Sequence, residues 1–459
     1  MSEEITKDLE KIVPKRWKRY PRYKDSGIEW IGEIPEEWDV AKLKRVVNHV
    51  GRGISPKYAE KSSIAVINQA CIYWEGISED DLKYHEETDI SELRKGLLKK
   101  GDLLLNSTGT GTLGRALLFN LDRVCIADSH VTIVRCNRKL MIPSFLRLLV
   151  ETPLYQSKIL NELVAGSTNQ IELSREELRN LIIPLPADEE QQWIVRGITE
   201  KTVEIDALIS KKQLLIELLK EKRAAIISRA VTKGLDPNAP MKDSGIEWIG
   251  EIPEGWKVTK LKWLSMEPLK YGLNEPASES NQNDPRYVRI TDITDEGILR
   301  DDTFKSIPQD VAKGYLLEEG DLLFARSGAT VGKTFIYNHS WGVGCFAGYL
   351  IRFRADASKV SARYLYYFTK SSAYWNWLNS SFTKSTIQNA SADKYKSLPV
   401  SVPNIESQRE ILNFLDESSK RIDSFISKIE KTIELLKEYR SALITAAVTG
   451  KIDVREEVP

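Results

Sequence analysis

Thirteen consecutive residues occur twice in this chain. KDSGIEWIGEIPE spans residues 24–36 and returns unchanged at 242–254, an offset of 218 residues. Identity of that length does not arise by chance. It limits the fold more than any other feature, because a chain that repeats one unit folds as copies of one domain. The match continues as EWDVAKLK (37–44) against GWKVTKLK (255–262). A 23-residue leader and two units of 218 residues account for all 459.

The units agree at their ends and differ between them. Residues 45–100 and 263–319 share almost nothing. GDLLLNSTGTGTLGR (101–115) then lines up with GDLLFARSGATVGK (320–333), STNQ (167–170) with STIQ (385–388), and LIIPLPADEEQQWI (181–194) with LPVSVPNIESQREI (398–411). IELLKEKRAAIISRAVT (216–232) and IELLKEYRSALITAAVT (433–449) are identical at 12 of 17 positions. A shared frame around unlike interiors describes one scaffold presenting two different surfaces.

The interiors alternate short β-like runs, SIAVINQ, DLLLNS and HVTIVRC, then RYVRITDI, DLLFARS and GYLIRFR, with helical stretches at 143–160 and 361–378. Each reads as a mixed α/β or α+β domain. Each unit then ends in a long helical run, with Asp188 or Asn404 as capping residues and Gln191 or Glu410 placed to complete a capping box. Gly234 and Gly450 suit the position just past each helix end. About 45 residues at 1.5 Å each make a rod of roughly 65 Å.

Both rods carry heptad rows. Ile205, Lys212, Leu219 and Ile226 form one row of the first, and Ile209, Ile216, Arg223 and Ala230 the other. The second rod has Ile422, Ile429, Leu436 and Leu443, then Ile426, Ile433, Arg440 and Ala447. Such a seam predicts a two-stranded coiled coil. An arginine at the same seam position twice either sets register with a nearby Glu, lies at an opening in the seam, or snorkels to solvent. The link between units is too short for a return traverse, so the rods are expected to pack antiparallel, with pseudo-twofold symmetry. The expected organisation is a basic arm (1–23), a first globular domain (24–187), a first long helix (188–233), a linker (234–241), a second globular domain (242–403), a second long helix (404–450) and a tail (451–459).

Composition narrows the function. Hydrophobic residues are 41% and charged residues 29%, ordinary for a globular protein. No apolar run reaches membrane-spanning length and the first residues carry no apolar signal segment, so a cytoplasmic protein without membrane contact is expected. Cys71, Cys125, Cys136 and Cys345 are far apart and read as reduced thiols, and His49, His85, His130 and His339 have no metal-ligand spacing. Lys+Arg and Asp+Glu both number 66. Any nucleic-acid surface must therefore be local, or completed by a partner. One basic stretch, KIVPKRWKRYPRYK (11–24), is either a solvated arm or a phosphate-contacting one.

Two glycine loops invite an enzymatic reading. Gly109, Gly111 and Gly114 form G-x-G-x-x-G after a strand-like run, and Gly332, Lys333 and Thr334 follow Ser327 in the manner of a phosphate loop. Each lacks part of its motif. The first has no following βαβ pattern, and the second has Ser327 where a glycine is required. A tight turn using glycine's positive φ accounts for both, and leaves room for backbone N–H groups with Arg115 or Lys333 to touch a phosphate. No motif nominates a catalytic group, cofactor site or metal site in both units.

The tandem frame resembles the DNA-specificity subunits of type I restriction–modification systems. The resemblance rests on the paired W-I-G-x-I-P-x-x-W segments (Trp30–Trp38 and Trp248–Trp256), the paired G-D-L-L turns, and the paired I-D-x-x-I-S-K and I-E-L-L-K-E-x-R helices, and it covers the chain from residue 24 on. It implies that the interiors are target-recognition domains, each reading one half of a bipartite, asymmetric site in double-stranded DNA. It implies that the helices space them and dock two adenine methyltransferase (modification) subunits, which motor-endonuclease (restriction) subunits join. The chain itself would be non-catalytic, with S-adenosylmethionine, ATP and Mg on the partners. The candidate DNA contacts are Ser107, Thr108, Thr110 and Arg115 in the first unit and Arg326, Ser327 and Lys333 in the second, followed by Thr168, Asn169 and Gln170 with Thr386, Gln388 and Asn389. Two other readings stay open: a scaffold with two divergent protein-binding heads, and a nucleotide-dependent enzyme using the glycine loops.

Overall fold

The computed structural model describes residues 17–455, apart from 75, 110, 166–170, 278–279, 295–296 and 381–388. The chain forms two compact units, one from residues 1–212 and 430–459, the other from 213–429. The division cuts both long helices. Each unit therefore joins one globular head to the first part of its own long helix and the last part of the other repeat's helix.

In the first head an antiparallel sheet runs Val47–Arg52, Val131–Cys136, Leu103–Asn106, Ala116–Leu118. Ala65–Ile67 pairs in parallel with Cys125–Ala127. Asp39–Lys42 pairs with Ile182–Leu185, tying the start of the head to its end. Helices Pro143–Glu151 and Pro153–Asn161 follow the sheet. The second head repeats each step. Its sheet runs Lys270–Tyr271, Leu350–Phe353, Leu322–Ala325, Thr334–Ile336. Arg286–Val288 lies parallel to Gly344–Phe346, Lys257–Lys260 pairs with Pro399–Val402, and helices Ala362–Phe368 and Ser372–Ser380 follow. The fold thus repeats through the interiors whose sequences do not.

The aspartate of each G-D-L-L turn explains its recurrence. Asp102 is 1% exposed and takes both Arg135 Nε and Nη2, at 2.7 and 2.6 Å. Asp321, equally buried, takes Arg354 Nε and Nη2 at 2.8 and 2.7 Å. A buried carboxylate is stable here because a fork-shaped guanidinium satisfies it from the neighbouring strand.

The long helices run Asp188–Lys233 and Ile405–Val448. Asp188, Glu189 and Glu190 in the first turn suit the positive end of the first helix dipole. Asn404 caps the second by accepting from Ser407 N–H at 2.8 Å. The expected capping boxes give way to a different device. Gln191, fully buried, accepts from Ile142 N–H at 2.8 Å and donates to the carbonyls of Leu140 and Pro186. Gln408, rather than Glu410, repeats this with Ser361 N–H and the carbonyls of Lys359 and Pro403. These glutamines fasten each helix start to its own head.

At their ends the helices enter the opposite repeat's head. Gly450 has φ +72° and packs so closely that an added Cβ would lie 2.3 Å from Pro35 Cδ and 3.2 Å from Trp38 Cζ3. Gly234, φ +75°, faces the equivalent pair less tightly, an added Cβ lying 3.3 Å from Trp256 Cζ2 and 3.6 Å from Pro253 Cγ. The exactly repeated segment is therefore a socket for a helix end. In the first unit Trp17 Nε1–H donates to Tyr439 Oη at 3.2 Å, Tyr23 Oη–H donates to Lys451 C=O, Arg455 lies 5.0 Å from the Tyr20 ring, and Tyr20 is buried edge-on against Trp38. The described end of the basic arm is thus part of this socket; residues 11–16 lie outside the described residues.

Within each unit the paired helix segments run antiparallel, one leaving the head as the other enters it. In the first unit Ile205, Ile209 and Ile433 are buried and Leu436 half-buried. In the second, Ile216 and Ile422 are buried, with Leu219, Ile226, Ile426 and Ile429 half-buried. The seam arginines set register across the pair. Arg440 reaches Asp206 at 3.1 Å and Glu151 at 2.9 Å, and Arg223 reaches Asp423 at 2.6 Å. Asp206 and Asp423 are the aspartates of the two I-D-x-x-I-S-K segments.

Candidate functional site

In each head one hairpin carries the glycine loop. Residues 107–115 join Leu103–Asn106 to Ala116–Leu118, and 326–333 join Leu322–Ala325 to Thr334–Ile336. A turn precedes the neighbouring strand, at 128–130 and 347–349. Ser107 N–H donates to His130 C=O at 2.9 Å, and Arg326 N–H to Tyr349 C=O at 3.0 Å. On the other side Leu173 N–H donates to Ser107 C=O and Ala390 N–H to Arg326 C=O, both at 2.8 Å. One backbone arrangement is built twice.

These loops do not have phosphate-loop topology. Such a loop passes from a strand into a helix whose N-terminus faces the anion. Here each strand turns back into its antiparallel neighbour, with Gly109, Gly111, Gly114, Gly328 and Gly332 all at positive φ. The tight-turn reading holds in both heads.

What the two loops present is different. In the first head Ser107 is fully buried and its hydroxyl is spent on Thr132 Oγ1 at 2.5 Å, so it faces no solvent and is withdrawn from the candidate contacts. Thr108 Oγ1 lies 3.0 Å from Gln69 Oε1 and 2.9 Å from His130 Nδ1. The Arg115 guanidinium lies 5.6 Å from the centre of the Tyr73 ring. In the second head the position of Ser107 belongs to Arg326, whose guanidinium lies 4.7 Å from the Tyr271 ring centre. Ser327 bridges to the exposed Asn389, and Tyr349 stands beside them, 65% exposed. Lys333 occupies the position of Arg115, its carbonyl accepting from Ala325 N–H as Arg115's does from Asn106 N–H. Thr110, Thr168, Asn169, Gln170, Thr386 and Gln388 lie outside the described residues.

The structure thus brings Thr108 together with Gln69 and His130, Arg115 with Tyr73, Arg326 with Tyr271 and Tyr349, and Ser327 with Asn389. Sequence reasoning missed the added residues. Gln69 is the last residue of the run SIAVINQ, His130 the first of HVTIVRC, and Tyr349 the second of GYLIRFR. Polar or aromatic residues at the ends of otherwise apolar runs were the available signal. The four cysteines are free and buried. Burial pushes the thiols of Cys125 up to about 11 and of Cys136 and Cys345 up to about 12, so they are poor nucleophiles. Among the described residues no cluster of His, Cys, Asp or Glu is arranged to hold a metal, and no helix is long and apolar enough to cross a membrane.

The sequence model of the type I restriction modification DNA specificity domain matches residues 35–218 and again 253–435. The chain belongs to this family. It is a type I specificity protein with two DNA-specificity domains in tandem, each match comprising one head and the first part of the long helix that follows. It is 23% identical over 431 residues to a putative type I restriction enzyme MjaX specificity subunit of Methanocaldococcus jannaschii, covering 93% of this chain and 96% of that protein. It is 21% identical to the StySPI specificity subunit of Salmonella potsdam, covering 92% and 90% of the two chains. In fold it is similar to a chain from a solved structure concerned with complex assembly and conformational transition of the type I R-M system. That likeness has a TM-score of 0.68 and 17% identity, and covers 90% of this chain and 98% of the other.

Proposed function

We propose that this specificity protein is the DNA-reading, non-catalytic subunit of a type I restriction–modification complex, each head reading one half of a bipartite, asymmetric site. One observation carries the reading: the two heads hold the same loop backbone, yet place different polar and aromatic side chains on it. A double-stranded DNA groove is read by such side chains, while the backbone fold fixes their approach. The long helices act as the spacer and as the docking surface for two adenine methyltransferase subunits, with motor-endonuclease subunits joining them. S-adenosylmethionine, ATP and Mg belong to those partners. Exposed apolar residues at equivalent helix positions support docking of one kind of partner twice: Leu208 with Phe425, and Leu218 with Leu435. Purified chain is expected to hydrolyse no ATP and transfer no methyl group; turnover abolished by Lys333→Ala would sink this reading.

The decisive test exchanges residues 263–400 for the matching interior of a relative and sequences the methylation motif written in the host. One half of the motif should change and the other stay. A change in both halves would refute the assignment of one head per half-site, and a motif indifferent to the exchange would favour a scaffold with protein-binding heads.

A further inference from the structure

The loop cluster of the first head contains a hydrogen-bond device that goes beyond simple exposure. Thr108 has one hydroxyl proton and two neighbours, Gln69 Oε1 at 3.0 Å and His130 Nδ1 at 2.9 Å. It cannot donate to both. If it donates to the Gln69 carbonyl oxygen, His130 Nδ1 carries the proton and donates to it, leaving Nε2 as an outward acceptor and the Gln69 amide nitrogen as a donor. If it donates to His130 Nδ1, the roles invert. The Gln69 amide nitrogen then donates to the hydroxyl, its carbonyl is the outward acceptor, and His130 Nε2–H is the donor. With a neutral imidazole, both states offer one donor and one acceptor.

The backbone holding these groups is fixed from several sides. Asn106 Nδ2 donates to Gln69 C=O at 3.1 Å, Ser107 N–H donates to His130 C=O at 2.9 Å, and Thr112 Oγ1–H donates to Thr108 C=O at 3.1 Å. His130 is exposed, and Gln69 and Thr108 are half-buried. The device is therefore pre-organised and open on its outer side.

We infer that Gln69 and His130, coupled through the Thr108 hydroxyl, are specificity-determining residues of the first head and select adenine over guanine. This deepens, and rests on, the DNA-reading function proposed above. In the major groove adenine presents one acceptor, N7, and one donor, N6–H, whereas guanine presents two acceptors, N7 and O6. A coupled pair that supplies one donor and one acceptor satisfies adenine and leaves an acceptor facing an acceptor on guanine. The second head has the opposite chemistry on the same backbone. Arg326 stands where the first head has the buried Ser107, and a guanidinium has donors only, matching guanine.

The test is the methylome of the host cell carrying the wild-type gene or a variant in its place, with melting of each purified variant as a check on folding. His130→Ala and Thr108→Val should each relax an adenine to adenine-or-guanine at the same position in one half of the motif. Thr108→Ser, which keeps the hydroxyl, should write the wild-type motif. The other half should not change. An unaltered motif in His130→Ala, relaxation at a guanine or a pyrimidine, or loss of all marks by a folded variant would each overturn the inference. If the wild-type gene itself leaves no mark that depends on it, the DNA-reading function fails instead, and the two failures are distinguishable.

Discussion

Gly53 and Gly272 sit at equivalent places in the two heads, inside interiors that share almost no sequence. A Cβ at Gly53 would lie 2.0 Å from the Ala127 carbonyl oxygen, and one at Gly272 would lie 2.2 Å from that of Ala347. Both glycines let the chain cross a neighbouring backbone too closely for any side chain, and the next residue in each case donates to the same strand: Ile54 to Ala127 and Leu273 to Phe346. Backbone cannot swing aside as a flexible side chain can. Gly53→Ala and Gly272→Ala are therefore each expected to cost about 3 kcal/mol, near the upper end of overpacking penalties. Gly255→Ala, which meets nothing within 4 Å, should be nearly neutral. Urea unfolding of the three variants checks this, and equal midpoints for all three would contradict it.

At the scale of elements, the two seam arginines do similar geometric work at different depth. Arg223 and Asp423 have side chains 38% and 58% exposed, so their pair is worth about 0–1 kcal/mol. Arg440 and Glu151 are 27% and 13% exposed, and Arg440 also holds Asp206. Arg440→Met is expected to cost about 2 kcal/mol, as for loss of a charge-assisted bond to a shielded carboxylate, while Arg223→Met costs little. A thermal-melting comparison of the two variants should show the first well below the second; the reverse order would mean that neighbouring groups rather than Glu151 set the value. The same elements show what pattern reading can reach. The heptad rows were visible in the primary structure because they are local and periodic. The acids that receive the arginines were not, because Asp206 and Asp423 lie on the opposite long helix and Glu151 on a helix of the head, and such contacts are decided only in three dimensions.

For the whole molecule, each long helix is fastened at both ends. The first is held at Gln191 in one unit, and in the other Val231 C=O accepts from the hydroxyls of Tyr364 and Ser401. The second is held at Gln408 in one unit and at Tyr439 and Lys451 in the other. From Asp206 to Arg223, and from Arg440 back to Asp423, the helices step the same number of residues in opposite directions. A heptad placed in one helix alone would break one of these registers. A matched pair, after Leu219 and after Ile426, keeps both seams in phase. Seven residues add roughly 10 Å of helix, and at about 3.4 Å per base pair the spacer of the methylation motif should lengthen by about one to three base pairs with its bases unchanged. An unchanged spacer from a folded variant would show that the helices do not set the distance.

The amino-acid sequence alone determined the two-unit plan, the α+β character of each unit, the long helices and their seams, and the position of the glycine loops. All of these are written in identity, periodicity or turn chemistry along the chain. It also marked Thr108, Arg115, Arg326 and Asn389 as candidates, since polar residues next to glycine turns stand out locally. Only the tertiary structure buried Ser107 behind Thr132 and brought Gln69 and His130 to Thr108. It also turned Gln191 from a cap into a fastening and made the repeated W-I-G-x-I-P-x-x-W segment a socket for the other repeat's helix. Each of these depends on contacts between residues far apart in the chain. In the interiors many sequences satisfy the same backbone, so the shared topology leaves little trace in the residues that build it.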